Sequence, residues 1–150
     1  MKLLFLWIFA LHACTARATT EVMYQGSLTE FKWQNRLIII QVNSKKELSQ
    51  LQDEIYYHSS DFNACKLLML ISMNDKTWIL DATTAQTVSP QLNHQVLKTI
   101  NQNLEKVLLI GLDGGIKNRY TAKTFSLEQV FNDIDLMPMR RLEIQRKFNG

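Results

Sequence analysis

The sequence predicts an α/β domain in which a mixed β-sheet lies between helices. Three apolar, β-rich runs do not alternate polar with apolar residues, and capped helical segments separate them. The runs are Arg36–Val42, Lys66–Ser72 and Val107–Ile110. Near-continuous apolar strands are typical of a sheet that is buried on both faces. We therefore expect these runs in the middle of a sheet covered by helices.

Three helices are predicted from their start signals and from apolar side chains at helical spacing. The start signals are Ser44 with Glu47, Ser89 before Pro90, and Ser126 with Gln129; these pairs fit capping boxes or a proline at the first helical position. The apolar faces that follow are Leu48, Leu51 and Ile55; Leu92, Val96, Leu97, Ile100 and Leu104; and Leu127, Val130, Phe131 and Ile134. Pro138 is expected to end the third helix.

A glycine-rich turn completes the predicted order. Asp113, Gly114 and Gly115 lie between Val107–Ile110 and Ile116–Tyr120, and such a turn joins antiparallel strands. The segment Thr77–Leu80 is a possible further strand. The order is then β-α-β-(β)-α-β-β-α, which is two βα units followed by a hairpin and a closing helix.

The first 18 residues have the pattern of a secretory signal peptide. Lys2 precedes the apolar stretch Leu3–Leu11, and Ala16–Ala18 fits a small-x-small cleavage site. Residues 19–150 would then form a single domain in the periplasm or outside the cell. Leu11–Cys14 also resembles a lipoprotein box, so a lipid anchor on Cys14 is the alternative. No later apolar stretch has the length of a transmembrane helix.

Charge and cysteine content narrow the possible functions. The chain has 17 basic and 14 acidic residues; without Lys2 and Arg17 the basic residues fall to 15, leaving a net charge near +1. A balance this close to neutral does not favour nucleic-acid binding. Of the 2 cysteines, only Cys65 lies after the leader, so no intramolecular disulfide is expected.

Three segments together resemble a thioredoxin-like domain family of unknown function found in exported bacterial proteins. They are Phe31–Ile40, Leu109–Lys117 and Asp135–Arg141, and the last contains the distinctive Met137, Pro138 and Met139. Related domains occur in vertebrate extracellular proteins of the sushi-repeat and equarin type. The resemblance implies a thioredoxin-like fold and an exported location but no established activity. Extracellular relatives suggest an interaction role by analogy.

Thiol chemistry of the thioredoxin kind lacks its residues here. It requires Cys-x-x-Cys at the start of the helix after the first strand, where the helix terminus lowers the thiol pKa. The corresponding segment, Gln41–Glu47, contains no cysteine. Cys65, placed at the opening of the second strand, is interpreted mainly as a small buried side chain. The alternative is an atypical single-cysteine thiol or peroxide reductase.

No cofactor or metal is predicted. His58, Asp61 and Cys65 are near one another in the sequence, but their spacing fits no zinc pattern. The region around Asp61 is instead interpreted as a capped loop after the first helix.

A basic cluster near the end of the chain is the predicted binding site. Arg140, Arg141, Arg146 and Lys147 surround a single acid, Glu143. These cations could simply stabilise the end of the preceding helix, or they could bind an unidentified protein or an anionic surface. The hypothesis is a non-catalytic binding or scaffolding module.

Overall fold

The computed structural model describes residues 23–80 and 85–148, so the predicted leader and Cys14 lie outside the described residues. The strands are β1 Arg36–Gln41, β2 Leu67–Met73, β3 Lys76–Leu80, β4 Ala85–Thr87, β5 Val107–Ile110 and β6 Ile116–Tyr120. The helices are α1 Lys45–Tyr57, α2 Ser59–Ala64, α3 Pro90–Asn101, α4 Leu127–Asp135 and α5 Pro138–Phe148, with a 3₁₀ helix at Leu28–Phe31.

The strands form one mixed sheet in the order β4-β3-β2-β1-β5-β6. β1 is parallel to β2, whereas the β1–β5, β2–β3, β3–β4 and β5–β6 pairs are antiparallel. A parallel neighbour requires a crossover, which α1 and α2 supply between β1 and β2. The predicted fold class, an α/β domain with a mixed sheet flanked by helices, is confirmed.

The sheet buries both of its faces, which explains the continuous apolar runs. In β1, Ile38 and Ile40 face a core shared with α1, α2 and α4, and Leu37 and Ile39 face a second core with α3 and the 3₁₀ helix. Successive side chains of a strand point to opposite faces, so a strand covered on both sides needs apolar residues at every position.

Two predicted boundaries are wrong. Cys65 does not open the second strand, because it is the C-cap residue of α2 and β2 begins at Leu67. Lys66 between them has φ 50°, which turns the chain from the helix into the strand. The second predicted helix, α3, ends at Asn101, and Leu104 beyond it is 94 % exposed rather than part of the apolar face.

Pro138 has a different role from the predicted one. The helix α4 ends at Asp135 with Leu136 as its C-cap, and Pro138 is the first residue of α5. Proline suits a first helical position because its missing N–H has no intrahelical partner there. The basic cluster therefore lies along α5 instead of at the end of α4. Asp61, predicted in a loop, lies within the short helix α2.

Within residues 23–80 and 85–148, none of the helices has the length and hydropathy required to cross a bilayer.

Candidate functional site

A broad groove opens at the strand ends of the sheet, where β1 finishes and the neighbouring β5 begins. Its cavity volume is about 1110 Å³, and its walls come from the β1–α1 connection, α1, the segment before β5, and the start of α4. The floor of the groove is built where β1 ends at Gln41 and continues into Val42. The N–H of Gln41 donates to the carbonyl of Lys106 at 3.0 Å, which brings the start of β5 beside it. We call this feature the edge groove.

The edge groove combines an apolar floor with an acidic rim. The apolar side chains include the buried Val42, Leu51, Val107 and Leu127. Glutamates line the rim on several elements, and Lys106 is the one lysine or arginine among the lining residues. The glutamates are Glu47, Glu54, Glu105 and Glu128. The groove thus presents an apolar surface to a ligand under a negative electrostatic field.

Both helices that begin at the groove satisfy their first amides internally. The Ser44 hydroxyl accepts from the Glu47 N–H at 3.2 Å, while the Glu47 carboxylate accepts from the Asn43 N–H at 2.9 Å. The Ser126 hydroxyl accepts from the Gln129 N–H at 3.2 Å. These are capping contacts of the expected kind. Ser44 is therefore engaged as a helix cap.

Cys65 lies at the other end of the strands, where its carbonyl accepts from Arg36 at the start of β1, and it does not line the edge groove. Its side chain is 3 % exposed. Burial raises the pKa of the Cys65 thiol, although the guanidinium groups of Arg140 and Arg36 act in the opposite direction. A raised pKa and low exposure both reduce thiolate reactivity.

Arg140 belongs to the interior of an ion-pair network. Its Nε donates to the Asp135 carboxylate at 3.0 Å, and its Nη1 donates to the carbonyl of Ala64 at 2.5 Å. The side chain is 10 % exposed and lies 3.7 Å from the Glu143 carboxylate. Burial acts to lower the pKa of Arg140, but the hydrogen bond and charge of Asp135 raise it overall. Arg140 consequently fastens α5 to the body of the domain.

The other predicted binding residues are exposed. Arg141, Arg146 and Lys147 lie at the surface of α5, and Leu136, Met139 and Leu142 are exposed beside them. The structure therefore divides the predicted basic cluster into one structural arginine and three solvent-facing cations.

The predicted Asp113–Gly115 turn joins β5 to β6. The Asp113 carboxylate accepts from the Gly115 N–H at 3.0 Å and from Lys117 Nζ at 2.6 Å. These two hydrogen bonds, with the Lys117 charge, lower the pKa of Asp113. Gly114 has φ 79°, a conformation that favours glycine. Met137 is half-buried against the core that the sheet shares with α1, α2 and α4, and Met139 is exposed.

Among the described residues, no group of three or more His, Cys, Asp and Glu side chains is arranged to hold a metal ion. His58 Nδ1 pairs with Asp61 at 3.2 Å, and His58 also contacts the ring of Phe131.

The acidic rim was not found by sequence reasoning. Glu54, Glu105 and Glu128 come from three separate segments, and each one alone is an ordinary surface residue. Only the capping residue Glu47 carried a sequence signal. The sheet order is what brings these carboxylates to one rim.

No curated protein and no solved structure matches the chain. A model of one protein family matches residues 27–143, a range that includes every element from the 3₁₀ helix to most of α5. The chain belongs to the family described as a domain of unknown function, DUF4174.

Proposed function

We propose that the protein is a non-catalytic binding module whose edge groove holds a cationic, partly apolar peptide segment of a partner protein. The observation that carries this proposal is the rim of four glutamates above an apolar floor. Small-molecule pockets typically occupy about 300–1,000 Å³, and the edge groove, at about 1110 Å³, is at least that large. Its charge favours lysine and arginine side chains, and its floor accommodates the apolar residues between them.

The strand order supports a thioredoxin-like relationship as part of this proposal. In the β2-β1-β5-β6 part of the sheet, β1 has one parallel and one antiparallel neighbour, and a terminal hairpin follows. That is the arrangement the resemblance implies, with β3 and β4 as an extension at one edge. The edge groove then lies beside the helix start at which a redox member would carry its cysteine pair. Asn43, Ser44 and Lys45 stand there instead.

Two features support a non-catalytic role. Ser44 accepts the Glu47 N–H as a helix cap and is not among the residues that line the groove. Cys65 is buried with a raised pKa and lies away from the groove. Binding at the groove therefore requires no covalent step.

The test uses two fluorescent ten-residue peptides, one alternating lysine with leucine and the other alternating glutamate with leucine. We expect fluorescence anisotropy to detect binding of the lysine peptide and no binding of the glutamate peptide. The double variant Glu54→Lys with Glu128→Lys should weaken that binding about tenfold or more, since each surface charge contributes roughly 0.2–1 kcal/mol and reversal adds repulsion.

The matched control reverses an exposed acid on the same helix that does not line the groove. Asp53→Lys changes the net charge as Glu54→Lys does. It should leave the peptide affinity nearly unchanged if the groove is the site. Equal weakening by both single variants would overturn the proposal, and so would tighter binding of the glutamate peptide.

We also propose that the domain acts after export, in the periplasm or outside the cell. Lys2, Leu3–Leu11 and Ala16–Ala18 support this location. Mass spectrometry of the protein recovered from an exporting bacterial host should give an N-terminus at Thr19. A diacylglycerol-modified Cys14 would indicate the lipid-anchored form, and an uncleaved Met1 in the cytoplasm would contradict export.

A further inference from the structure

The outward face of α5 exposes apolar and basic side chains together. Met139 and Leu142 of α5 are 42 % and 53 % exposed, and Leu136, the C-cap residue of α4 just before α5, is 65 % exposed. Met139 and Leu142 are three residues apart on the helix, so they lie on one face. At 3.6 residues per turn, the exposed Arg146 falls on the same face, while the exposed Arg141 and Lys147 flank that face on opposite sides. We call these six residues the α5 surface.

The inward face of α5 is joined to the rest of the domain by hydrogen bonds and ion pairs, which orient its outward face toward solvent. Arg140 bonds to Asp135 and to the Ala64 carbonyl, and Glu143 bonds to the buried Arg36. These contacts also neutralise the nearby carboxylates of Asp135 and Glu143. Glu143 is the one acid of α5, and two arginines neutralise it. Among residues 23–80 and 85–148, the ion pairs of α5 involve Arg140 and Glu143 and leave the positive charges of Arg141, Arg146 and Lys147 facing solvent.

We propose that the α5 surface docks the protein onto an anionic phospholipid bilayer. The three cations complement lipid phosphates, and Leu136, Met139 and Leu142 would enter the boundary between headgroups and acyl chains. Exposed apolar side chains flanked by lysine and arginine are one feature of helices that bind in this boundary plane.

The shape of this surface favours a bilayer over an acidic peptide. A peptide normally binds along a sheet edge or in a groove. The edge groove and the two smaller cavities beside the 3₁₀ helix have no lining residue from the α5 surface. An exposed helix face that lines none of these three cavities fits a broad, deformable surface. With three cations, the attachment should be reversible and weakened by salt, because the charges are screened within about 10 Å at 0.1 M ionic strength.

The test is co-sedimentation of the full chain with vesicles of equimolar phosphatidylcholine and phosphatidylglycerol, compared with phosphatidylcholine alone. The readout is the ratio of the two partition coefficients, compared between variants that carry the same leader, because Lys2 and Arg17 of the leader would themselves favour anionic vesicles. We expect a ratio well above one for the natural sequence. Arg141→Gln with Arg146→Gln should lower it about 30-fold, as expected for the loss of two cations near an anionic surface.

The control Lys76→Gln with Lys98→Gln removes two exposed lysines from β3 and α3. It should leave the ratio within about twofold, since these cations lie outside the docking face. A second variant, Leu142→Ser, should reduce binding to anionic vesicles without altering charge. Circular dichroism and the midpoint of urea unfolding establish that each variant is folded.

A ratio near one for the natural sequence would overturn the proposal, as would equal loss in the lysine control. Binding of a polyglutamate peptide without binding of anionic vesicles would overturn it too and would indicate an acidic protein partner. The peptide experiment on the edge groove uses different residues and a different probe, so either proposal can fail while the other stands.

Discussion

Arg36, the first residue of β1, forms a bidentate pair with Glu143 of the last helix, 107 positions later in the chain. The two guanidinium nitrogens donate to the carboxylate oxygens at 3.3 and 3.4 Å. Arg36 is 1 % exposed, and it also donates to the carbonyl of Cys65 at 2.8 Å. One buried arginine thus ties β1, the end of α2 and α5 together.

Removing the Glu143 charge should strongly destabilise the domain. Glu143→Gln leaves the Arg36 guanidinium buried without its counter-charge, and the loss of one partner of a buried pair costs about 3 kcal/mol or more. Urea unfolding measures the free-energy change. The exposed Glu128→Gln serves as control and should change stability by less than about 0.5 kcal/mol.

The double variant Arg36→Met with Glu143→Met distinguishes an ion pair from general packing. It removes both charges, so its loss of stability should be smaller than the sum of the losses in Arg36→Met and in Glu143→Met. Simple additivity would show that the two side chains are not energetically coupled.

Cys65 should be unreactive in the folded protein. Because the thiol is buried and its pKa is raised, alkylation by iodoacetamide requires opening of the structure. We expect the native rate at pH 8 to be at least about 100-fold below the rate in concentrated urea, as for an opening free energy near 3 kcal/mol. Rapid native alkylation, or peroxide turnover lost in Cys65→Ala, would instead revive the thiol reductase hypothesis.

The raised pKa of the Cys65 thiol also makes the stability of the domain depend on pH. Below the ordinary pKa of a thiol, near 9, both states keep the proton and the full stability remains. Above it the unfolded chain releases the proton first, so stability falls as pH rises toward the folded-state pKa. Cys65→Ala should flatten the stability profile between pH 8 and about 9.5. An unchanged slope would show that burial does not disfavour the thiolate.

The Tyr120 hydroxyl donates to the Asp133 carboxylate at 2.6 Å. Burial, followed by this hydrogen bond and the carboxylate charge, raises the pKa of Tyr120 well above its usual value of 10. Tyr120→Phe should cost about 1.5 kcal/mol, as for a hydrogen bond to a charged group.

Ultraviolet titration tests the assignment of this tyrosine. The phenol of Tyr120 should stay protonated above pH 10 in the folded protein, and stability should fall as pH rises above 10, where the unfolded chain releases that proton first. In Tyr120→Phe the late-titrating fraction should shrink to the part that belongs to Tyr24, whose pKa burial also raises. The control Tyr57→Phe, at a residue 83 % exposed, should leave the late-titrating fraction unchanged.

Gly114 and Gly115 provide a matched pair in the β5–β6 turn. Gly114 has φ 79°, and a Cβ there would also meet the flexible end of Lys32. Gly114→Ala should therefore cost about 1 kcal/mol, mainly from the backbone conformation. Gly115→Ala should stay within about 0.5 kcal/mol, since its nearest atom would be Asp113 Oδ1 at 3.4 Å. Equal costs, measured by thermal unfolding, would contradict this explanation.

Local signals in the sequence were sufficient for the main elements. Ser44, Ser89 and Ser126 cap α1, α3 and α4 as predicted, because a capping hydroxyl acts on amides only a few residues away. The strand β4 was missed, since three residues carry no periodic pattern. The helix α5 was missed because a proline that can end one helix can equally begin the next.

The sequence by itself determined that the central strands are buried on both faces and that no cysteine lies at the start of α1. Both follow from residue type at successive positions. Only the tertiary structure decided that Arg140 is internal while Arg141 is exposed, and that four separate glutamates share one rim. Neighbouring arginines have the same local chemistry; their environments differ because α5 packs one face against Asp135 and Ala64. Contacts between distant segments depend on sheet order and helix docking, and these arise from the packing of the whole chain.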